Sequence, residues 1–183
     1  MDCKKPGKEN TEKILQRAKE EALQRGIRFI LVASTGGETG VLAARMFHRT
    51  GVRVVVITHN TGFKEPGVQE FNQTAREEIE RLGGTVYTGT HVLRGIGAAF
   101  RDRYKFSHEQ VVADTLRMFG HGIKVCVEMA AMASDAGLIP PEDIIAIAGT
   151  QKGADTAAII KADSSNRFFD MKVRKILAKP FEF

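Results

Sequence analysis

Four short stretches of the chain combine glycine with hydroxyl, amide or imidazole side chains. They are Ser34-Thr35-Gly36-Gly37-Glu38-Thr39, Thr58-His59-Asn60-Thr61-Gly62, Thr88-Gly89-Thr90-His91 and Gly149-Thr150-Gln151-Lys152-Gly153. Glycine lets backbone N–H groups approach an anion closely, and hydroxyls add donors. A helix that follows contributes about half a positive charge at its N-terminus. The chemistry this suits is phosphate binding, and the candidate ligands are Ser34, Thr35, Gly36, Gly37, Glu38, Thr39, His59, Asn60, Thr61, Gly149, Thr150, Lys152 and Gly153. In any one loop the same residues would equally serve a tight turn or a helix N-cap. Four such loops converging on one edge of a sheet argue for an anion site.

His59 and His91 each follow a predicted strand and could donate to a phosphate or move a proton, although a loop histidine is also commonly just exposed. Glu128 interrupts the otherwise apolar run Val125 to Ala133. A carboxylate there needs a polar pocket or a partner, which makes it the third acid–base candidate. The five histidines show neither HxH nor HExxH spacing, so no metal site is expected. GxxxxGK[ST] and GxGxxG are both absent, which removes the main sequence support for nucleoside triphosphate hydrolysis and for ordinary NAD binding.

These loops are positioned by apolar runs that alternate with helical patterns. Residues 27–33, 52–58, 85–88 and 143–148 read as strands, and 10–24, 41–49 and 68–82 as helices. Residues 92–138 look helical in two or three pieces, broken near Phe106-Ser107 and Gly120-His121-Gly122. Residues 157–162 are either a short helix capped by Asp155 or a fifth strand, an antiparallel edge strand being favoured. The basic end, 167–183, reads as a terminal helix or arm. Continuous Val/Ile runs separated by helices imply a parallel sheet covered on both faces, a three-layer, doubly wound α/β domain. Ligands of such sheets sit at the carboxyl ends of the strands.

The 183 residues suit a single domain, with an N-terminal helix at about 10–25 and a C-terminal basic arm. The start lacks the apolar core of a signal peptide and no run approaches a membrane span, so a cytoplasmic protein without membrane contact is expected. Cys3 and Cys126 form neither a CxxC pair nor a disulfide framework. The net charge of +5 is fed partly by Arg167, Lys172, Arg174, Lys175 and Lys179. So short a cluster more commonly serves a solvated face or a subunit contact than nucleic acid.

The run Phe29 to Thr39, followed by Val54-Val55-Val56-Ile57-Thr58-His59-Asn60, resembles the C-terminal α/β domain of pyruvate kinase, and in particular free-standing proteins built on that domain. With Ala148-Gly149-Thr150 and Gly153-Ala154-Asp155-Thr156, the likeness covers most of residues 27 to 163. It implies a mostly parallel five-stranded sheet with its last strand antiparallel. It also implies a regulatory domain that in some forms holds a sugar bisphosphate at the loop matching Ser34 to Thr39. The catalytic (β/α)₈ barrel needs roughly 250 residues by itself, so phosphoryl transfer from phosphoenolpyruvate is not expected. The segment Ser34 to Thr39 is also similar to the flavodoxin phosphate loop, which makes flavin mononucleotide the cofactor to consider. Flavodoxins flank the flavin with Trp or Tyr, whereas this chain has no Trp and only Tyr87 and Tyr104, leaving Phe63 to cover a ring. The expectation is therefore a domain that binds a phosphorylated small molecule, a mononucleotide such as FMN or a sugar phosphate, without kinase activity. A homo-oligomer is compatible with this reading. Two alternatives stand beside it: an enzyme using Glu128, His59 or His91 as acid or base, and an interaction module using the basic C-terminus.

Overall fold

The computed structural model describes residues 2–150 and 152–182. Its centre is a mixed sheet whose strands are β1 (Asp2–Cys3), β2 (Phe29–Ala33), β3 (Arg53–Ile57), β4 (Thr85–Tyr87), β5 (Asp143–Ala148), β6 (Thr156–Lys161) and β7 (Lys172–Pro180). Their order across the sheet is β1-β7-β6-β5-β2-β3-β4. β2 runs parallel to β3 and β5, and β3 parallel to β4, while β6 is antiparallel to both β5 and β7. The helices are α1 (Thr11–Arg25), α2 (Glu38–Phe47), α3 (Gln73–Arg81), α4 (Gly95–Tyr104), α5 (His108–Arg117) and α6 (His121–Asp135).

The two faces of each buried strand feed two cores. Ile30, Val32, Val54, Val56, Ile145 and Ile147 belong to a cluster with Ile14, Leu15 and Ala18 of α1 and Phe47 of α2. Phe29, Leu31, Val55, Ile57, Ile144 and Ala146 belong to a second cluster with Ile123, Val127, Ala130 and Met132 of α6. Period-two alternation along runs that are apolar throughout is what a sheet covered on both sides requires. The helix α6 is buried almost all round because the sheet lies on one side of it and α5 on the other.

The five strands expected from the sequence are all present, and residues 157–162 resolve in favour of the antiparallel strand; it is not the expected edge strand of a five-stranded sheet, however, because β7 and β1 extend the sheet beyond it to seven described strands. Two differences stand out. The basic segment expected to be a terminal helix or arm is instead β7, preceded by a 3₁₀ turn at Ser165–Asp170. Its charges serve as long-range ion pairs, Arg174 Nε with Asp143 Oδ1 at 3.2 Å and Lys175 Nζ with Glu21 Oε1 at 2.9 Å. The helix expected from 68 starts only at Gln73, because the Asn72 side chain accepts the Ala75 N–H at 3.1 Å and sets the N-cap there. Among the described residues no helix is long and apolar enough to cross a membrane.

Candidate functional site

The chain leaves β2 towards β3 and β4 on one side, and returns through α4, α5 and α6 to β5 on the other side of β2. The order reverses between β2 and β5, and a crevice opens between the loops that leave them. A cavity of about 710 Å³ occupies this place. It is lined by Ser34, Thr35, Gly36, Glu38 and Thr39 after β2, His59 after β3, His91 after β4, and Gly149, Thr150, Lys152 and Gly153 after β5. Gln151, part of the fourth sequence motif, lies outside the described residues.

The first loop is built around Ser34, whose Oγ accepts the N–H groups of Gly37 at 3.2 Å and Gly40 at 3.3 Å. Ser34 thus organises the turn, and its own proton remains to donate. Gly37 is not a lining residue. It sits at φ 113, and a Cβ there would meet Ala75 Cβ at 2.4 Å, so its task is the turn into α2 and the packing of that turn on α3. Around Gly36 a Cβ would meet no atom within 4 Å. The amides of Glu38 and Thr39 belong to the first turn of α2, where no intrahelical acceptor exists. Glu38 itself is exposed and paired with Lys8 Nζ at 2.6 Å; that hydrogen bond holds its carboxyl below the usual range.

The loop after β5 is tied down by Asp155, which is fully buried. Its Oδ2 accepts the Thr150 N–H at 3.0 Å and its Oδ1 the Thr156 hydroxyl at 2.8 Å. Thr11 Oγ1 accepts the Ala154 N–H at 3.0 Å, and Gly153 at φ 77 packs so closely that a Cβ would lie 2.6 Å from Lys8 Cα. The Thr150 hydroxyl oxygen is buried and has no hydrogen-bond partner among the described residues, although Thr150 lines the cavity. A buried polar atom left unpaired is costly, so a ligand group that reached it would gain the full contact.

Opposite these loops lies a stack. The His59 ring lies on Phe63, centroids 3.8 Å apart at 18°, and the Arg94 guanidinium carbon is 4.4 Å from the Phe63 centroid. His59 Nδ1 is 2.8 Å from Glu70 Oε2, and Glu70 also pairs with Lys64. The Lys64 and His59 hydrogen bonds hold the Glu70 carboxyl below its ordinary range against the opposing effect of burial. His91 sits edge-on to His59 with centroids 6.0 Å apart. Asn60 and Thr61 do not line the cavity. Their polar atoms close the 60–70 loop on itself, Asn60 Nδ2 donating to Thr61 O and Gln69 Nε2 to Thr61 Oγ1.

Glu128 is buried and fully engaged. Its Oε1 accepts the Leu93 N–H at 2.8 Å, and its Oε2 lies 2.5 Å from Lys124 Nζ and 3.5 Å from His91 Nδ1. Burial pushes its pKa up, but hydrogen bonding from His91 and the Lys124 ammonium outweigh this and hold it at about 2. A carboxylate so placed is poorly matched to proton transfer near neutral pH and well suited to clamping α6 to the segment before α4. Glu21 is the other buried carboxylate held at about 2, by hydrogen bonds from Arg25 and Lys175. Both folded values lie below the ordinary 4.5, so each group adds stability that is complete above that value and is lost as pH falls towards 2. Denaturant midpoints should therefore fall steeply between pH 4.5 and 2, and Glu21→Gln and Glu128→Gln should each flatten that slope.

Sequence reasoning found the strand-end loops and missed much of the opposite wall. Lys8, Lys64, Arg94, Arg117, His121 and Lys124 also line the cavity. Burial, reinforced by Arg117 and Lys124, lowers the His121 pKa. The signal that could have revealed part of this wall is the spacing of His121, Lys124 and Glu128, a polar stripe at helical intervals on an apolar helix. Among the described residues no group of three or more His, Cys, Asp or Glu could hold a metal ion.

Fold and site together define a doubly wound α/β domain with a cation-rich cavity at its topological switch point. The family model described as "Pyruvate kinase, alpha/beta domain" matches residues 12–161, and the chain belongs to that family. Among solved structures, a Cryptosporidium parvum pyruvate kinase in complex with ADP is similar at 17% identity and a TM-score of 0.45, over 83% of this chain and 23% of that one. A second pyruvate kinase structure from the same organism matches at 17% identity and a TM-score of 0.45, over 83% of this chain and 22% of that one. An O-ureido-L-serine synthase follows at 16% identity and a TM-score of 0.33, covering 72% and 40%. The chain thus spans less than a quarter of the pyruvate kinases it matches.

Proposed function

We propose that the protein binds a phosphorylated small molecule, a sugar phosphate or a mononucleotide, with its phosphate on the loop Ser34 to Thr39. The observation that carries this is one cavity, of a size ordinary for small ligands, lined by six Lys and Arg side chains (Lys8, Lys64, Arg94, Arg117, Lys124 and Lys152) and two carboxylates, Glu38 and Glu128, with Glu70 and Asp114 pairing Lys64 and Arg117 from outside the lining. Such a wall favours an anion before any specific hydrogen bond is counted. Of the two ligand types the sugar phosphate is the better supported. The phosphate loop would serve FMN equally, but Phe63, the ring left to cover a flavin, is already stacked on His59 and capped by Arg94. A role for the basic C-terminus as an interaction module has less support, because Arg167, Arg174 and Lys175 are committed to Asp163 and Asp170, Asp143, and Glu21 respectively.

Thermal melting with ribose 5-phosphate, glucose 6-phosphate, AMP, FMN and inorganic phosphate tests the proposal. At a hundredfold excess over Kd a true ligand should raise the Tm by roughly 5–10 °C for a domain of this size. A flat response to every phosphorylated compound would sink it.

A further inference from the structure

His59 differs from every other titratable group in the cavity in how it is held. Glu70 accepts its Nδ1–H at 2.8 Å, and the Phe63 ring fixes the plane of the imidazole. The tautomer that satisfies this contact carries its lone pair on Nε2. His91, by contrast, has both ring nitrogens engaged, Nδ1 towards Glu128 Oε2 at 3.5 Å and Nε2 towards Thr58 O at 3.4 Å. A base whose far nitrogen is held by an ionised carboxylate is the arrangement that general acid–base catalysis uses.

Position defines which atom that base would meet. Ala33 and Ile57 are paired across β2 and β3, and the Ser34 N–H still bonds Ile57 O at 3.0 Å, so the loop beginning at Ser34 and the residue pair Thr58-His59 leave neighbouring strand ends. Neighbouring strands lie about 4.8 Å apart. A ligand whose phosphate sat on the first loop would have its carbon skeleton within reach of His59, one strand away in the same cavity. Arg94, which has no carboxylate partner among the described residues, lies over the Phe63 ring and brings a positive charge to the same cavity.

We propose that His59, positioned by Glu70, moves a proton on the carbon skeleton of a phosphorylated keto or aldo sugar held by its phosphate in this cavity. The proposal rests on the ligand-binding reading above. Nε2 takes the proton from the carbon beside the carbonyl; the C–H electron pair becomes the C=C bond of an enediolate, and the carbonyl π pair moves onto oxygen. Returning the proton to the former carbonyl carbon, with a hydroxyl proton shifting between the two oxygens, gives the isomeric sugar phosphate. No oxidant, reductant or second substrate enters the balance.

The experiment follows deuterium entry from D₂O into dihydroxyacetone phosphate, fructose 6-phosphate and ribulose 5-phosphate by NMR, with unphosphorylated fructose as control. Wild-type protein should label at least one of the three phosphates and leave fructose unlabelled. His59→Asn and His59→Gln should each slow labelling by roughly 100-fold or more, the usual worth of a positioned acid or base. Both should keep the melting-temperature response to the labelled phosphate. Glu70→Gln should lower the rate at saturating ligand by about 10-fold with an unchanged half-saturating concentration, and Glu70→Asp should recover part of it, as expected of a residue acting through His59. Labelling that survives both His59 substitutions overturns the proposal. So does a wild-type protein whose melting responds to these phosphates while no deuterium enters any of them; the binding reading would then stand alone. A protein that neither melts higher nor exchanges with any of them overturns the proton-transfer proposal, and the binding reading falls with it when ribose 5-phosphate, glucose 6-phosphate, AMP, FMN and inorganic phosphate also leave the melting temperature unchanged.

Discussion

Lys124→Met should lower the free energy of unfolding at neutral pH by about 3–5 kcal/mol, the usual cost of removing one partner from a buried ion pair. Lys124 is 5% exposed and Glu128 2%, and their 2.5 Å contact joins two residues one turn apart on the sheet-covering helix α6, from which Glu128 also holds the segment before α4 through the Leu93 N–H. Removing the ammonium leaves a buried carboxylate facing only the Leu93 N–H and a longer contact to His91. Glu128 would then titrate closer to its ordinary value, and the acid limb of the stability profile would shift upward. The double substitution Lys124→Met with Glu128→Leu should regain much of the loss, because neither charge is then left unpaired. Urea titration of the two variants decides the matter. A single-variant loss below about 1 kcal/mol would mean that water reaches the pair from the cavity and screens it as it screens surface pairs.

The parts of this molecule that were readable from sequence are those whose cause is local. Strands β2, β3 and β5 announce themselves because both faces are buried and, after the exposed Arg53 and Asp143 that open β3 and β5, every position is apolar. α1 does so through Ile14, Leu15, Ala18 and Ala22, all fully buried on one stripe. β7 did not, because its first five residues are exposed and three of them are charged. What holds Arg174 and Lys175 there is Asp143 and Glu21, partners 31 and 154 positions away that no spacing rule exposes. The site divides in the same way. Ser34 to Thr39 and Gly149 to Gly153 are visible as glycine and hydroxyl residues at strand ends. Arg94, Arg117 and Lys124 reach the cavity only because the crossover from β4 to β5 folds over it, and Lys8 because the segment before α1 packs against Gly153. Asn60 and Thr61 carry the same residue types as the true lining loops, yet spend their polar atoms closing the 60–70 loop. Residue type therefore identified the loops as polar, and only the three-dimensional path of the chain determines which of them line the cavity.

Gly36→Asp should abolish binding of phosphorylated ligands while leaving the fold intact, and the separation of those two effects is what gives the substitution its value. A Cβ at Gly36 meets nothing within 4 Å, and its carbonyl, which accepts the Asn72 N–H at 3.2 Å, is unaffected by a side chain. Stability should even rise slightly, since a carboxylate just before the first turn of α2 complements the helix dipole. Binding should move the other way. Two like charges about 4 Å apart at a partly screened site repel by roughly 4 kcal/mol, which corresponds to a loss of about 1000-fold in affinity. Gly36→Ala adds bulk without charge and should bind within a few-fold of wild type, so steric exclusion and charge repulsion separate cleanly. Gly37→Ala is the complementary control. At φ 113, with Ala75 Cβ 2.4 Å from the new methyl, it should unfold the turn and lose stability and binding together. Calorimetric titration of a sugar phosphate against the three variants, at two salt concentrations, places the anion on this loop if only Gly36→Asp loses affinity without losing stability. Undiminished binding by Gly36→Asp would move the phosphate to the opposite wall, among Arg94, Arg117 and Lys124.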